Sequence, residues 1–375
     1  MDPAFDFAAL RRHPDVEAPN LFASDAADRL LLDEAAGALA AAGEGRVAVV
    51  GDAYGALTLG AAALHGATGI RTHQDALSGE RALAANAARL GLGGGYTSHG
   101  LDAELLDGAQ VVLLRLPRSL DALDEVAEAV ARWAPPEVRV YAGGMVKHMA
   151  TTMNDVLRRR FGRLDVTHAR QKARVLVASD PLPPGDPAWP RTRVDAATGL
   201  VIVAHGAAFA GSAVDAGTRL LLAHLDDAMP EVPRAVDLGC GTGVLAVELA
   251  RRRPRLRVLA TDQSAAAVAS ARATAAANGV ADRVEVVRDD ALAARADASE
   301  EFIVLNPPFH IGAAVHTGIA HKLFAEAGRV LAAGGELWVV WNSHLRHRPA
   351  LERLVGPTRQ VARDRTFTVT ASRKT

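Results

Sequence analysis

The strongest constraint on how this 375-residue chain can fold is that it reads as one pattern written twice. Val47-Ala48-Val49-Val50-Gly51-Asp52-Ala53-Tyr54-Gly55 matches Ala235-Val236-Asp237-Leu238-Gly239-Cys240-Gly241-Thr242-Gly243 at a spacing of 188. Further along, Thr72-His73-Gln74 falls on Thr261-Asp262-Gln263, and Leu114-Arg115-Leu116-Pro117-Arg118 falls on Leu305-Asn306-Pro307-Pro308-Phe309. Residues 169–179 then fall on 362–372, the spacing having drifted only to 193. An alanine-rich chain can match itself by chance at one place, but four matches in order at nearly constant spacing point to duplication. Each copy, at roughly 180 residues, is long enough to bury its own core.

The second copy shows the grammar of the fold most clearly. An apolar strand from residue 234 runs into a glycine-rich turn and a helix over 244–253. A second strand (256–261), an alanine-rich helix (264–278), a third strand (283–287) and a fourth (302–305) follow. Short apolar strands alternating with helices of this length predict right-handed βαβ units and a doubly wound α/β domain. Between the copies, residues 181–190 hold five prolines, which neither continue a helix nor donate to a central sheet. The expected organisation is therefore a first domain over 1–180, a linker over 181–191 and a second domain over 192–375. A strand at 200–204 and a helix at 216–225 are expected to form a lid beside the pocket.

Hydrophobic residues make up 49% of the chain, yet no apolar run reaches the roughly 18 residues of a membrane span. The first ten residues carry two aspartates and no basic leader. Cys240 is the single cysteine, which excludes an internal disulfide and a cysteine-based zinc or iron–sulfur centre. No metal site is evident, and a cytoplasmic location is expected. A formal net charge of −1 argues against coating nucleic acid by bulk electrostatics, while leaving room for a local basic patch.

In Asp237-Leu238-Gly239-Cys240-Gly241-Thr242-Gly243, glycines after a strand allow a tight turn and close approach of a ligand to the backbone. The acid at the strand end suits an ammonium or a cationic cofactor. Asp262, about 20 residues on at the end of the second strand, is placed to take both hydroxyls of a ribose. Asp289-Asp290-Ala291 ends the third strand, where a carboxylate would meet an adenine amino group. Adenosine joined to a cationic amino acid fits these positions better than a nicotinamide dinucleotide.

Asn306-Pro307-Pro308-Phe309 follows the fourth strand, opposite the glycine loop. The Asn306 amide oxygen and the Pro307 carbonyl can both accept hydrogen bonds from one amino group, and the prolines hold that carbonyl rigidly. Such acceptors draw the nitrogen lone pair out of conjugation and aim it at an incoming methyl group. Phe309 can stack on a planar base. In the first copy each position has changed: Val49 stands for the acid, Ala53 for the middle glycine, His73 for Asp262, and Arg115-Leu116-Pro117-Arg118 for the acceptor motif. That copy is expected to serve substrate binding or folding. Residues 132–174 hold ten Lys or Arg against three acids. Lys147, Arg158, Arg159, Arg160, Arg170, Lys172 and Arg174 are the expected RNA-binding residues.

These motifs resemble the two-domain ribosomal RNA guanine-N2 methyltransferases, class I S-adenosylmethionine-dependent enzymes of small-subunit and large-subunit types with an inactive N-terminal copy. The resemblance covers nearly the whole chain, and residues 51–57 and 341–345 look closer to the large-subunit branch. It implies two tandem Rossmann-like domains with mostly parallel seven-stranded sheets, one strand antiparallel at 366–371. By the same resemblance Asn306, Pro307, Pro308 and Phe309 hold a flipped-out guanine. Asp237, Gly239, Gly241, Gly243, Asp262, Asp290 and Ala291 hold S-adenosylmethionine, aided by the lid residues Asp215 and Thr218. Of the family's lid sequence, Phe209-Ala210 and Val214-Asp215-Ala216-Gly217-Thr218 keep most, with alanine where the family has serine. The implied partner is ribosomal RNA, free or in a subunit or assembly intermediate. Protein glutamine N5-methylation stands as a second reading, since an amide makes the same demands on Asn-Pro-Pro, though that family has tyrosine in place of Phe309. A non-catalytic RNA-binding or assembly factor with a vestigial pocket is the third.

Overall fold

Both halves of the chain build a seven-stranded sheet with the same strand order. The computed structural model describes residues 5–226, 228–308 and 313–375, the side chains of 313–317 excepted. In the first half the strands are β1 (Val47–Val50), β2 (Ile70–His73), β3 (Tyr96–Ser98), β4 (Val111–Arg115), β5 (Arg139–Met145), β6 (Phe161–Val166) and β7 (Ala173–Pro181). They lie in the order β3-β2-β1-β4-β5-β7-β6. A hairpin of β8 (Arg191–Val194) and β9 (Val201–Ala204) opens the second half. Its main strands are β10 (Arg234–Leu238), β11 (Arg257–Asp262), β12 (Val284–Arg288), β13 (Glu300–Leu305), β14 (Leu331–Asn342), β15 (Thr358–Arg363) and β16 (Phe367–Arg373). Their order, β12-β11-β10-β13-β14-β16-β15, repeats the first sheet position for position. β16 pairs antiparallel with both neighbours, where the single antiparallel strand was expected. The tandem α/β architecture is therefore as the duplication predicts.

The strands read as near-continuous apolar runs because both faces of each sheet are covered. In β10 and β13, Val236, Leu238, Ile303 and Leu305 enter one buried cluster, while Ala235, Phe302 and Val304 enter the cluster on the opposite face. This is the two-residue alternation of a pleated strand. β10 lies between β11 and β13, so the chain crosses to opposite sides of the sheet there, and a crevice opens beyond the strand ends.

The chain divides into two units, Met1–Trp189 and Pro190–Thr375. The proline-rich stretch between β7 and β8 is partly held by the first unit. Glu128 accepts from the Ala188 amide at 3.0 Å, and Asp124 accepts from the Trp189 indole at 3.2 Å. Within the second unit, β9 has no strand on its far edge among the described residues. Ser270, Thr274 and Asn278, spaced by four on and just beyond helix Ala265–Ala277, supply partners instead, with His205 N to Ser270 Oγ at 2.9 Å, Val203 N to Thr274 Oγ1 at 3.1 Å and Val201 N to Asn278 Oδ1 at 3.1 Å. The hairpin is thereby tied to the main domain beside the site. Among the described residues, no helix is long and apolar enough to cross a membrane.

Candidate active site

The site forms at the ends of β10, β11 and β13. The glycine loop after β10 divides its labour. Gly243, with φ of +79°, begins helix Val244–Arg252, and a Cβ there would stand 3.0 Å from the Ala271 Cα, so this glycine allows two helices to pack. Gly241, with φ of +53°, has no heavy atom within 4 Å of where its Cβ would be, which leaves that side of the loop open to a ligand. Gly239 and Cys240 donate to the Thr261 carbonyl at 2.8 and 2.9 Å, tying the loop to β11.

Asp237 is fully buried; its Oδ2 accepts from the Ala246 amide at 2.9 Å, and its Oδ1 has no partner among the described residues. Burial, with the nearby charge of Asp262, pushes its pKa up to about 7. The folded state therefore holds this proton more tightly than the unfolded chain, and stability falls as pH rises from about 4 to about 7. Asp237→Asn should remove that slope. It should stabilise the unliganded second unit at pH 8 by roughly 2–4 kcal/mol and change little near pH 4. Thermal unfolding across this pH range checks the sign, and an unstabilised variant at pH 8 would show that the buried carboxyl carries no such cost.

Asp262 ties the glycine loop to the end of β11, Oδ2 accepting from Gly241 N at 3.0 Å and Oδ1 from Ser264 N at 2.9 Å. After β12, Asp289 is buried and accepts from the Asp290 and Ala294 amides at 2.8 and 3.0 Å. Asp290, expected to face an adenine amino group, is bound through both oxygens by Lys322 at 2.6 and 2.7 Å. No sequence signal pointed to Lys322, which lies on helix Ala313–Val330. Ala291 is buried with φ of +60°.

Asn306 is the junction of motif and lid. Its Nδ2 donates to Asp215 Oδ2 at 3.1 Å and to Thr218 Oγ1 at 2.8 Å, while its Oδ1 is buried without a partner among the described residues. Asp215 caps helix Ala216–Leu222, accepting from Gly217 N at 2.9 Å and Thr218 N at 3.2 Å. Phe209, Asp215, Thr218, Gly239, Gly241 and Asn306 line one cavity of about 40 Å³. Pro307 is buried and Pro308 exposed; Phe309 lies outside the described residues. The lid helix ends at Leu222, three residues short of the expected 225.

The first copy keeps this framework with different chemistry. Asp52, in the loop, accepts from Gly55 N at 3.0 Å and from Thr58 N at 2.8 Å. Thr58 is the counterpart of Ala246, so the capping done by Asp237 in the second copy is done here by a loop carboxylate, with Val49 in the strand. Arg115, counterpart of Asn306, binds Asp28 at 2.7 Å and Asp25 at 2.8 Å. Asp25 and Asp28 precede Asp215 and Thr218 by 190 residues, and Asp25 likewise caps a helix, Ala26–Ala41. Extending the internal alignment upstream of residue 47 would have exposed this signal in the sequence. A guanidinium has donors and no acceptor, so the first copy has nothing to bind an amino group with at this position.

The expected RNA-binding residues do not form one set. Arg159 pairs with Asp124 at 3.2 Å and Arg160 with Glu128 at 2.6 Å, the same acids that hold the proline stretch. Arg170 pairs with Glu34 at 2.9 Å, and Arg158 approaches Asp155 at 3.6 Å. Arg174 is half-buried, whereas Lys147 and Lys172 are exposed. Among the described residues, no group of three or more His, Cys, Asp or Glu could hold a metal ion.

Residues 199–371 match the methyltransferase small domain model, and residues 1–181 match the RLMG N-terminal domain model. A protein of Pseudomonas paraeruginosa, ribosomal RNA large subunit methyltransferase G, is 35% identical over 364 residues, 96% of each chain. The protein of the same description in Streptomyces coelicolor is 36% identical over 376 residues, again 96% of each. The fold also matches a solved structure, the Thermus thermophilus 16S rRNA N2 G1207 methyltransferase RsmC in complex with AdoMet and guanosine. That match has a TM-score of 0.76 at 22% identity and covers 94% of this chain and 92% of that one. Identity at this level, sustained through both halves, means that the chain belongs to the ribosomal RNA large subunit methyltransferase G family.

Proposed function

We propose that this protein transfers a methyl group from S-adenosylmethionine to the exocyclic N2 of a guanine in large-subunit ribosomal RNA. The observation that carries this reading is Asn306, whose amide nitrogen is occupied while its oxygen is buried and unpartnered among the described residues. An unpaired buried acceptor is costly unless a ligand donor completes it. The family relatives are named for large-subunit ribosomal RNA, and the Thermus neighbour was solved with AdoMet and guanosine, which together favour a guanine amino group over a protein glutamine.

The residues present fit the cofactor. The open side of Gly241 leaves the backbone approachable, and the unpartnered Asp237 oxygen beside that loop suits a cationic group. When bound, S-adenosylmethionine supplies an electrophilic methyl group on a sulfonium centre. Asn306 Oδ1 and the Pro307 carbonyl accept the amino hydrogens, which holds the nitrogen lone pair out of the ring plane and aimed at the methyl. A paired guanine offers N2 only at the edge of a stack, so the base must leave it to be reached.

The test is to incubate the chain and labelled methyl donor with large-subunit RNA lacking this modification, both deproteinised and as assembled subunits. N2-methylguanosine at one position is expected, and label in protein would favour the glutamine reading. RNA is held in part by the first unit. Lys147→Ala and Lys172→Ala should each flatten the salt dependence of RNA binding by up to about 0.7–0.9 in log–log slope. Arg159→Ala should act on the stability of the first unit, since Arg159 already pairs with Asp124. Unchanged slopes in both lysine variants would remove them from the RNA surface.

A further inference from the structure

We propose that Asp215 and Thr218 are positioning residues that fix which end of the Asn306 amide faces the substrate amino group, an inference that rests on the acceptor role given above to Asn306. An asparagine amide has nearly the same shape after a half-turn about its last side-chain bond, but its two ends differ in kind. The oxygen accepts and the nitrogen donates. An amino group to be methylated needs the oxygen; the turned amide would set donors against donors.

The structure holds one orientation from the far side. Asp215 Oδ2 and Thr218 Oγ1 accept from Asn306 Nδ2 at 3.1 and 2.8 Å. An ionised carboxylate can only accept, so turning the amide would set two oxygens against each other in a part-buried site. Asp215 cannot swing away freely, because the same oxygen accepts from the Gly217 and Thr218 amides at the start of helix Ala216–Leu222. Thr218 is 8% exposed, so water competes little for its hydroxyl. Constraint thus passes from the helix start, through two side chains, to the Asn306 amide oxygen, which is left buried and unpartnered among the described residues.

The first copy supports this independently. Where Arg115 replaces Asn306, Asp25 still caps its helix, but Asp28 stands in place of Thr218. A guanidinium needs charge neutralisation and has no oxygen to orient. The hydroxyl at 218 accompanies the amide and is absent where the amide is absent. Asp215 and Thr218 therefore act through Asn306, which departs from the cofactor-binding role that the family resemblance implied for them.

Thr218→Val keeps the shape of the side chain and removes the acceptor; Thr218→Ser keeps the acceptor. Both are assayed in the full chain with deproteinised large-subunit RNA lacking the modification and tritiated S-adenosylmethionine, alongside calorimetric affinity for the cofactor. The expected result is a kcat lowered about tenfold or more in the valine variant, with cofactor affinity within about twofold of the wild type. The serine variant should return to within about threefold of wild-type kcat. Should the valine variant not fold, Thr218→Ala takes its place in the same comparison. Three results overturn the inference alone: a valine variant as active as the wild type, valine and serine variants equally impaired, or cofactor affinity lost in step with kcat. Wild-type inactivity on this RNA would instead overturn the functional reading, and this inference with it.

Discussion

Asn306→Ala should lower kcat for methyl transfer by about 10²–10³-fold, the range seen when one preorganised polar group at a reacting centre is removed. Cofactor affinity should stay within about twofold, because the Asn306 amide nitrogen bonds to Asp215 and Thr218 and the proposed reading gives its oxygen to the acceptor. Asp262→Ala should do the converse. Its carboxylate holds the open glycine loop through Gly241 and stands where a ribose is expected. Loss of charge-assisted hydrogen bonds worth about 1.5–3 kcal/mol should weaken cofactor binding roughly 10- to 100-fold. Calorimetry and single-turnover transfer on the two variants separate the roles. If Asn306→Ala loses cofactor binding together with transfer, its amide is holding the site together and does not act on the acceptor nitrogen.

The second large effect lies in the first copy. Arg115→Ala should destabilise that unit by about 3 kcal/mol, the low end of the range for breaking a buried pair, since the guanidinium side chain is itself 24% exposed. The loss comes from Asp28, which is buried and must then either carry its charge without a partner or take up a proton. Even beside Arg115, burial pushes the Asp28 carboxyl up to about 6. The folded state therefore holds that proton more tightly than the unfolded chain, and this group's contribution to stability falls as pH rises from about 4 to about 6. Without the guanidinium the carboxyl moves further up, so the deficit of Arg115→Ala should be larger at pH 8 than at pH 5. Denaturant unfolding at the two pH values checks this. Equal stability of variant and wild type at pH 8 would show that the ion pair contributes nothing. Cofactor affinity of the second unit should not change, since every candidate cofactor residue lies beyond residue 190.

The sequence by itself determined the duplicated α/β architecture and the glycine loop, and it marked Asn306-Pro307 as the candidate acceptor motif. These are carried by local patterns: alternation of short apolar strands and helices, glycine where the backbone must turn, and proline beside an amide. The two sheets with one strand order follow from the same four matches that reveal the repeat. Tertiary structure alone decided what these groups meet. Asn306 and Asp215 are 91 residues apart, and no local pattern encodes which end of an amide is held. The pairing of Asp290 with Lys322 spans 32 residues, and no local pattern announces it. Arg159 and Arg160 look like an RNA-binding run in sequence, but folding sets Asp124 and Glu128 beside them. Ser270, Thr274 and Asn278 are only polar residues spaced by four in the sequence, and become the partners of a strand edge because the β8–β9 hairpin docks there. A sequence states which side chains carry charge and hydrogen-bonding capacity; whether that capacity is already filled is a question of distance, and only the fold sets distances.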